Sequence, residues 1–224
     1  MRPLKVIVHN SVSMDGSLLG FAIDMATHYR IAGSFKADIQ LVGSNTAIEG
    51  LKLFTPRLPK EQDKDFAKPC RNKNLPLWVI PDTSGKLRGK LHALRRFDLC
   101  RDIVILTDNA TPKGYLRYLT ERNYDWHYMG KRPLDYAQVL ALLTKEHGAT
   151  TILIDAGKTL NGILLNEGLV DEVSLLVHPF IVGEKRFPLF AEVTAGIEMK
   201  LIQCNPSHGK TWLLYRVLKP LSKK

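Results

Sequence analysis

Residues 152–162 decide the fold of this 224-residue chain, and they read ILIDAGKTLNG. The apolar start is typical of a buried strand, and residues 159–167 follow a helical pattern that Gly168 ends. A junction of this kind presents free backbone N–H groups and the positive end of a helix dipole to an anion. Lys158 would add a positive charge and Thr159 a hydroxyl donor. The alternative is a plain turn with Thr159 as N-cap, and the glycine spacing excludes a P-loop.

Further strand and helix patterns lie on both sides of this junction. Short β-branched runs predict strands over 5–9, 38–42, 77–80, 102–106, 151–154, 173–177, 199–204 and 211–218. Apolar residues at helical spacing predict a helix over 134–147, and the proline-rich segment 54–76 is predicted to be a surface loop. The alternation predicts one α/β domain over 1–224, with a mixed, mainly parallel sheet flanked by helices and a C-terminal antiparallel hairpin.

Polar residues follow several of the predicted strands. The segments 41–46, 81–86 and 106–111 come directly after strands and read LVGSNT, PDTSGK and LTDNAT. In a parallel sheet such segments gather at the carboxyl edge, where ligands of α/β folds bind. The first strand leads into Asp15, which either builds an Asp-Gly turn or projects a carboxylate toward a substrate. In the second case Asp15→Asn would cost little stability.

The composition favours an intracellular protein that binds anions. The formal net charge is +10, with basic concentrations at 95–96, 131–132 and 219–224, which we interpret as a solvated surface. A phosphorylated small molecule fits this charge, whereas nucleic acid is not expected because no binding motif is present. Three scattered cysteines and the lack of a long apolar run predict a cytoplasmic protein without a membrane span. The histidines predict no metal site, and His178 is expected to be a hydrogen-bonded core residue.

Taken in chain order, these motifs resemble the reductase domain of riboflavin biosynthesis, a family with the dihydrofolate-reductase-like fold. The family pattern is a strand, E-G-G-G-x-L, a helix, G-L-V-D-E and a strand that ends in P-x-x-x-G. Here the 152–162 segment is followed by GLVDE at 168–172 and by HPFIVG at 178–183. Shorter matches are S-x-D-G at 13–16, V-G-x-x-T at 42–46 and D-[ST]-x-G-x-L at 82–87. The resemblance therefore covers nearly the whole chain.

The resemblance implies a homodimer that uses NADPH to reduce a small phosphorylated or heterocyclic substrate. In the family this substrate is 2,5-diamino-6-ribosylamino-4(3H)-pyrimidinone 5′-phosphate. The implied cofactor contacts are Thr46, Thr83, Ser84, Met129, Ala156, Gly157, Lys158 and Thr159. The implied substrate contacts are the catalytic Asp15, with Ser13, Arg30 and Arg57. NADPH is expected to bind more tightly than NADH, because Thr83, Ser84 and Lys86 can meet its 2′-phosphate.

The chain also departs from the family pattern. The glycine-rich turn reads DAGK in place of EGGG, Ser17 replaces a basic residue, and Gly50 replaces an acidic one. Residues 51–57, LKLFTPR, replace the D-[DN]-P-x-L-T stretch of the substrate site. The cofactor motifs are thus kept better than the substrate motifs. Two other functions stay open: a pterin or dihydrofolate reductase on the same fold, and a non-catalytic nucleotide- or RNA-binding protein.

Overall fold

A computed structural model describes residues 3–55 and 57–218, and the basic segment 219–224 lies outside them. The chain divides into two compact units. The terminal unit comprises Met1–Phe35 with Thr151–Lys224, and the middle unit is Lys36–Thr150. The strands are β1 (Lys5–Ser13), β2 (Ile39–Val42), β3 (Leu77–Pro81), β4 (Ile103–Thr107), β5 (Asp125–Tyr128), β6 (Thr151–Asp155), β7 (Glu172–His178), β8 (Met199–Ser207) and β9 (Lys210–Val217). The helices are α1 (Met25–Ser34), α2 (Ser44–Phe54), α3 (Leu91–Arg95), α4 (Lys113–Glu121), α5 (Tyr136–His147) and α6 (Lys158–Asn166).

In the terminal unit, β1 is the central parallel strand. It pairs in parallel with β6 and with β7, so that Val8 lies opposite both Ile154 and Val173. Both faces of these strands are buried, and in β6 and the first half of β1 the buried side chains are apolar, which is why the sequence shows continuous apolar runs there. The strands β7, β9 and β8 then pair antiparallel in that order. His208 and Gly209 both have positive φ between β8 and β9, as a two-residue hairpin turn requires.

The middle unit is a parallel sheet in the order β5-β4-β3-β2. Its strands have a buried apolar centre, and α5 begins at the N-cap Asp135, whose side chain accepts a hydrogen bond from Gln138 N. Helix α5 ends at His147, the predicted end, and Gly148 follows in the left-handed region. The expected fold class is confirmed, since both units are α/β, their strands are mainly parallel, and the chain closes with an antiparallel hairpin.

Two predictions about the middle unit need correction. The segment 54–76 contains a short 3-10 turn, Asp63–Phe66, in which Asp65 is buried and paired with Arg96, so it is more than a surface loop. Arg95 is not part of a solvated basic patch, because its buried guanidinium is paired with Asp102 at 2.7 Å. It also donates to the carbonyl oxygen of Asn123. The pair 95–96 therefore stabilises the fold.

The described residues contain no helix that is both long enough and apolar enough to cross a membrane. In the same part of the chain no group of three or more His, Cys, Asp or Glu side chains is arranged to hold a metal ion.

His178 is buried; its Nδ1 lies 3.2 Å from the carbonyl oxygen of Leu176, and its Nε2 accepts a hydrogen bond from Asp24 N. The prediction of a hydrogen-bonded core histidine is confirmed.

Candidate functional site

The junction between β6 and α6 is an open helix N-terminus on a rigid turn. Helix α6 begins at Lys158, and Gly157 is its N-cap, with no side-chain hydrogen bond to the first turn. The alternative in which Thr159 is the N-cap is therefore wrong. Thr159 lies in the first turn, and its side chain is exposed. The carbonyl oxygen of the buried Ala156 accepts hydrogen bonds from the side-chain amides of Asn10 and Asn161, both at 2.9 Å. The first-turn N–H groups lack a helical carbonyl partner and suit an anion.

Lys158 has partners within the terminal unit. Its Nζ lies 3.1 Å from Glu192 Oε1 and 5.0 Å from the centre of the Phe187 ring. About one third of its side chain is exposed. The added charge of the DAGK turn is thus partly balanced by a carboxylate of the chain. An anion at this turn competes with Glu192 for the ammonium group.

The loop that contains Asp15, at the end of β1, is hydrogen-bonded to residues of the segment 182–187. Asp15 accepts hydrogen bonds from the hydroxyl of Ser13 at 2.5 Å and from the backbone N–H groups of Val182 and Gly183. The Ser13 bond, followed by that of Gly183, lowers the pKa of Asp15 to about 2. Ser17, where the family has a basic residue, accepts from Phe187 N and donates to the carbonyl oxygen of Leu19. Asp15 is therefore ionised at neutral pH and is an acceptor.

In the middle unit, three strand ends carry candidate residues at one edge of the parallel sheet. Helix α2 begins at Ser44 directly after β2, so Thr46 lies half-buried in its first turn, where the sequence suggested a loop. After β3, the buried Asp82 accepts from the backbone N–H groups of Lys86 and Leu87. This carboxylate fixes the loop that exposes Ser84.

Arg132 connects the ends of β3, β4 and β5, and no sequence motif singles it out. Its guanidinium pairs with the buried Asp108 after β4 and donates to the hydroxyl of Thr83 after β3. Arg132 itself follows β5, as does the half-buried Met129, whose N–H donates to Thr107. The only sequence signal was the basic pair 131–132, because Asp108 is too distant in the chain to suggest the contact.

The two arginines expected at the substrate phosphate lie in different units. Arg30 is exposed on α1 of the terminal unit, and Arg57 is exposed after α2 in the middle unit. In the terminal unit Ser13 and Asp15 share a loop, and Ala156, Gly157, Lys158 and Thr159 share the junction before α6. In the middle unit Thr83 and Ser84 share the loop after β3.

Comparison with known proteins finds a curated relative and solved structures that match most of the chain. A curated relative from Aquifex aeolicus (strain VF5), 2,5-diamino-6-ribosylamino-4(3H)-pyrimidinone 5′-phosphate reductase, is 24% identical over 198 residues. The match covers 84% of this chain and 81% of the relative.

Solved structures share the fold. Acinetobacter baumannii RibD, form 2, superposes with a TM-score of 0.71 at 19% identity, over 96% of this chain and 58% of that chain. This chain thus spans little more than half of that protein. Saccharomyces cerevisiae riboflavin biosynthesis reductase Rib7 gives a TM-score of 0.69 at 15% identity, over 96% of this chain and 90% of that chain. The sequence model of the RibD C-terminal domain matches residues 5–211. The chain therefore belongs to the RibD C-terminal domain family.

Proposed function

We propose that this protein is an NADPH-dependent reductase of 2,5-diamino-6-ribosylamino-4(3H)-pyrimidinone 5′-phosphate. Family membership and the Aquifex relative support the substrate and the reaction class. A homodimer and a cytoplasmic location stay predictions from the resemblance and the composition.

The observation that carries the proposal is the open N-terminus of α6. No side chain hydrogen-bonds to the first-turn N–H groups of α6 from its N-cap, Gly157. A Cβ at this position would meet no atom within 4 Å, so the space next to the turn is open. The amides of Asn10 and Asn161 hold the carbonyl of Ala156, so the turn is fixed before a ligand binds. Backbone N–H groups, the helix dipole and Lys158 together suit a phosphate of a dinucleotide. The residues present therefore fit the cofactor.

The residues around Asp15 suit a flat heterocycle with amino groups. An ionised carboxylate accepts hydrogen bonds from amines, and the low pKa of Asp15 prevents it from donating a proton at neutral pH. Met14 directly precedes Asp15 in the chain, and Ile181 directly precedes Val182, which donates to Asp15. Their side chains are 66% and 69% exposed, so apolar surface is available next to the carboxylate in sequence. Asp15 thus orients the substrate, while the bound cofactor supplies a hydride from nicotinamide C4.

Cofactor binding and turnover test the proposal on the purified full chain. We expect NADPH to bind, and its oxidation to depend on the diaminopyrimidine phosphate and not on dihydropterin or dihydrofolate. Oxidation with the pterin substrates alone would assign a different reductase. Nucleic-acid binding with a steep salt dependence, together with no NADPH binding, would instead support the non-catalytic function.

A further inference from the structure

Two histidines of the middle unit face each other through their ring nitrogens. Nε2 of His127, on β5, lies 3.1 Å from Nε2 of His147, the last residue of α5. The ring planes are inclined at 79° and the ring centres are 5.3 Å apart, so the imidazoles meet at their Nε2 ends and do not stack. The two residues are 20 positions apart in the chain, so no local motif reveals the pair. Two facing imidazole nitrogens share either a proton or a metal ion.

The distance between the two nitrogens is close to that of two ligands on one metal ion. A tetrahedral Zn²⁺ binds imidazole nitrogens at about 2.0–2.1 Å, which places two such ligands roughly 3.3 Å apart. The observed 3.1 Å therefore requires only a small rotation of the two rings. Imidazole suits Zn²⁺, Ni²⁺ and Cu²⁺, whereas Mg²⁺ and Ca²⁺ prefer oxygen ligands. Both histidines are partly buried, so an ion can reach them from solvent.

The backbone holds both histidines in place before an ion binds. The carbonyl oxygen of His127 accepts a hydrogen bond from Thr107 Oγ1 at 3.1 Å, within the parallel pair of β4 and β5. His147 is followed by the C-cap Gly148, whose N–H donates to carbonyl oxygens of α5. One ligand thus lies on a strand and the other at the end of a helix that packs on the core through Leu143. Only the two rings have to turn when an ion binds.

The electrostatic environment keeps a ring nitrogen available and favours a cation. Burial, then the neighbouring His127, lowers the pKa of His147, so this ring is uncharged at neutral pH, as a metal ligand must be. The C-terminal end of a helix carries partial negative charge, which stabilises a cation beside it. The nearby carboxylates of Asp125 and Glu146 act in the same direction, and Arg101 opposes them.

We propose that His127 and His147 together bind a divalent transition-metal ion of the Zn²⁺ class, which links the edge strand β5 to the end of α5. Water completes the coordination, because Asp125 is paired with Lys68 at 2.7 Å and no group of three such ligands lies together within residues 3–55 and 57–218. With two protein ligands in place of the three or four of catalytic and structural zinc sites, the ion exchanges with solvent. The inference does not depend on the proposed reductase activity.

Zinc titration of the untagged full chain near neutral pH tests the site. Calorimetry should show one Zn²⁺ per chain, and the melting temperature should rise with Zn²⁺ and return with EDTA, because an ion that binds the folded state stabilises it. Mg²⁺ should have neither effect. His127→Gln and His147→Gln should each weaken Zn²⁺ binding by about tenfold or more, since loss of even an outer-shell partner costs about 10- to 100-fold in metal affinity. The matched control is His208→Asn, which removes an exposed imidazole from the β8–β9 turn and should leave Zn²⁺ binding unchanged.

NMR of the wild-type chain tests the site without any substitution. Zn²⁺ should shift the imidazole resonances of two of the seven histidines, and the His127 and His147 variants assign them. A wild-type chain that binds no Zn²⁺ up to millimolar concentration would overturn the proposal, and the pair would then share a proton only. Equal Zn²⁺ binding by wild type and both histidine variants would overturn it as well, since the ion would then lie elsewhere, with the exposed thiols of Cys70 and Cys204 as the first alternative.

Discussion

Asp15 stabilises its own loop, in addition to the substrate contact that we propose for it. Its carboxylate accepts three hydrogen bonds, from Ser13 Oγ and from the backbone of Val182 and Gly183. The side-chain amide of an asparagine at position 15 has only one acceptor oxygen. Its NH₂ group would face one of these three donors, and that hydrogen bond would be lost. Asp15→Asn should therefore lower the melting temperature, whereas the sequence alone suggested little cost.

The same variant should keep NADPH affinity and lose about tenfold or more in turnover per folded molecule, the cost of one transition-state hydrogen bond. Glu184→Gln is a suitable control, because it neutralises an exposed carboxylate in the short 3-10 turn Gly183–Lys185, which follows Val182. Thermal unfolding and activity measured on one preparation decide the matter. Normal turnover of the folded fraction would restrict Asp15 to a structural role.

At the residue scale, the sequence located candidates but not their partners. Lys158 was predicted from its position after the glycine, yet its contact with Glu192 joins residues 34 positions apart. The pair of Arg132 and Asp108 spans 24 positions. Such contacts depend on the folded arrangement of loops, which no local pattern encodes. Motif positions could therefore be predicted, whereas their electrostatic environment could not.

Helix α6 requires a glycine at its second turn for packing. A Cβ on Gly162 would lie 2.5 Å from the Cβ of Glu192 and 3.1 Å from its backbone. Alanine is the better helix former by about 1 kcal/mol, but the segment around Glu192 would have to move. Gly162→Ala should therefore destabilise the protein.

Gly50 provides the matched control for this substitution. It lies inside α2, and a Cβ there would meet no atom within 4 Å. Gly50→Ala should stabilise the chain by about 0.4–1 kcal/mol, because it restricts the unfolded state without a clash. Urea unfolding of both variants measures the difference. Equal stabilisation by the two substitutions would show that Glu192 does not pack on α6.

At the element scale, strands with continuous apolar runs were predicted and polar elements were not. The second half of β1 escaped notice because its buried residues are polar. Asn10 donates to the carbonyl of Ala156, and Ser11 hydrogen-bonds to His28. The strand β5, Asp125–Tyr128, lies at the edge of the middle sheet and lacks a buried face. Patterns of hydrophobicity report the burial of apolar side chains, so they reveal neither a strand with buried polar side chains nor an edge strand without a buried face.

The whole molecule has a net charge of +10 and an α/β fold whose strand ends carry the candidate residues. Fold class and family were predictable because the motifs keep their order along nearly the whole chain. The family's substrate motif, which residues 51–57 replace, was not informative, and residues 51–54 belong to helix α2. An anion-binding function is consistent with the charge, since a basic protein attracts phosphorylated ligands.

The stability of the whole molecule should fall in mild acid because histidines are buried uncharged. His9 lies on β1 with no exposed surface, its Nδ1 2.9 Å from Ser174 Oγ and its ring centre 4.4 Å from that of His28. Burial, then the neighbouring His28, lowers the pKa of His9 to about 3, although Asp155 acts in the opposite direction. The pKa values of His147 and His178 are lowered as well, in both cases first by burial.

The sign of the effect follows from proton binding. In the unfolded chain His9 titrates near pH 6.5, so between about pH 6.5 and 3 the unfolded state binds a proton that the folded state does not. The contribution is complete above pH 6.5 and is lost as the pH falls, by up to about 1.4 kcal/mol per pH unit for each proton. Urea unfolding between pH 7.5 and 5 measures this slope before the carboxylates titrate.

His9→Gln should give a shallower dependence of the unfolding free energy on pH than wild type. The control is His208→Asn, which should leave this dependence unchanged. It removes an exposed imidazole from the β8–β9 turn, and asparagine tolerates the positive φ of that position. Equal slopes for wild type and His9→Gln would mean that His9 is protonated in the folded protein.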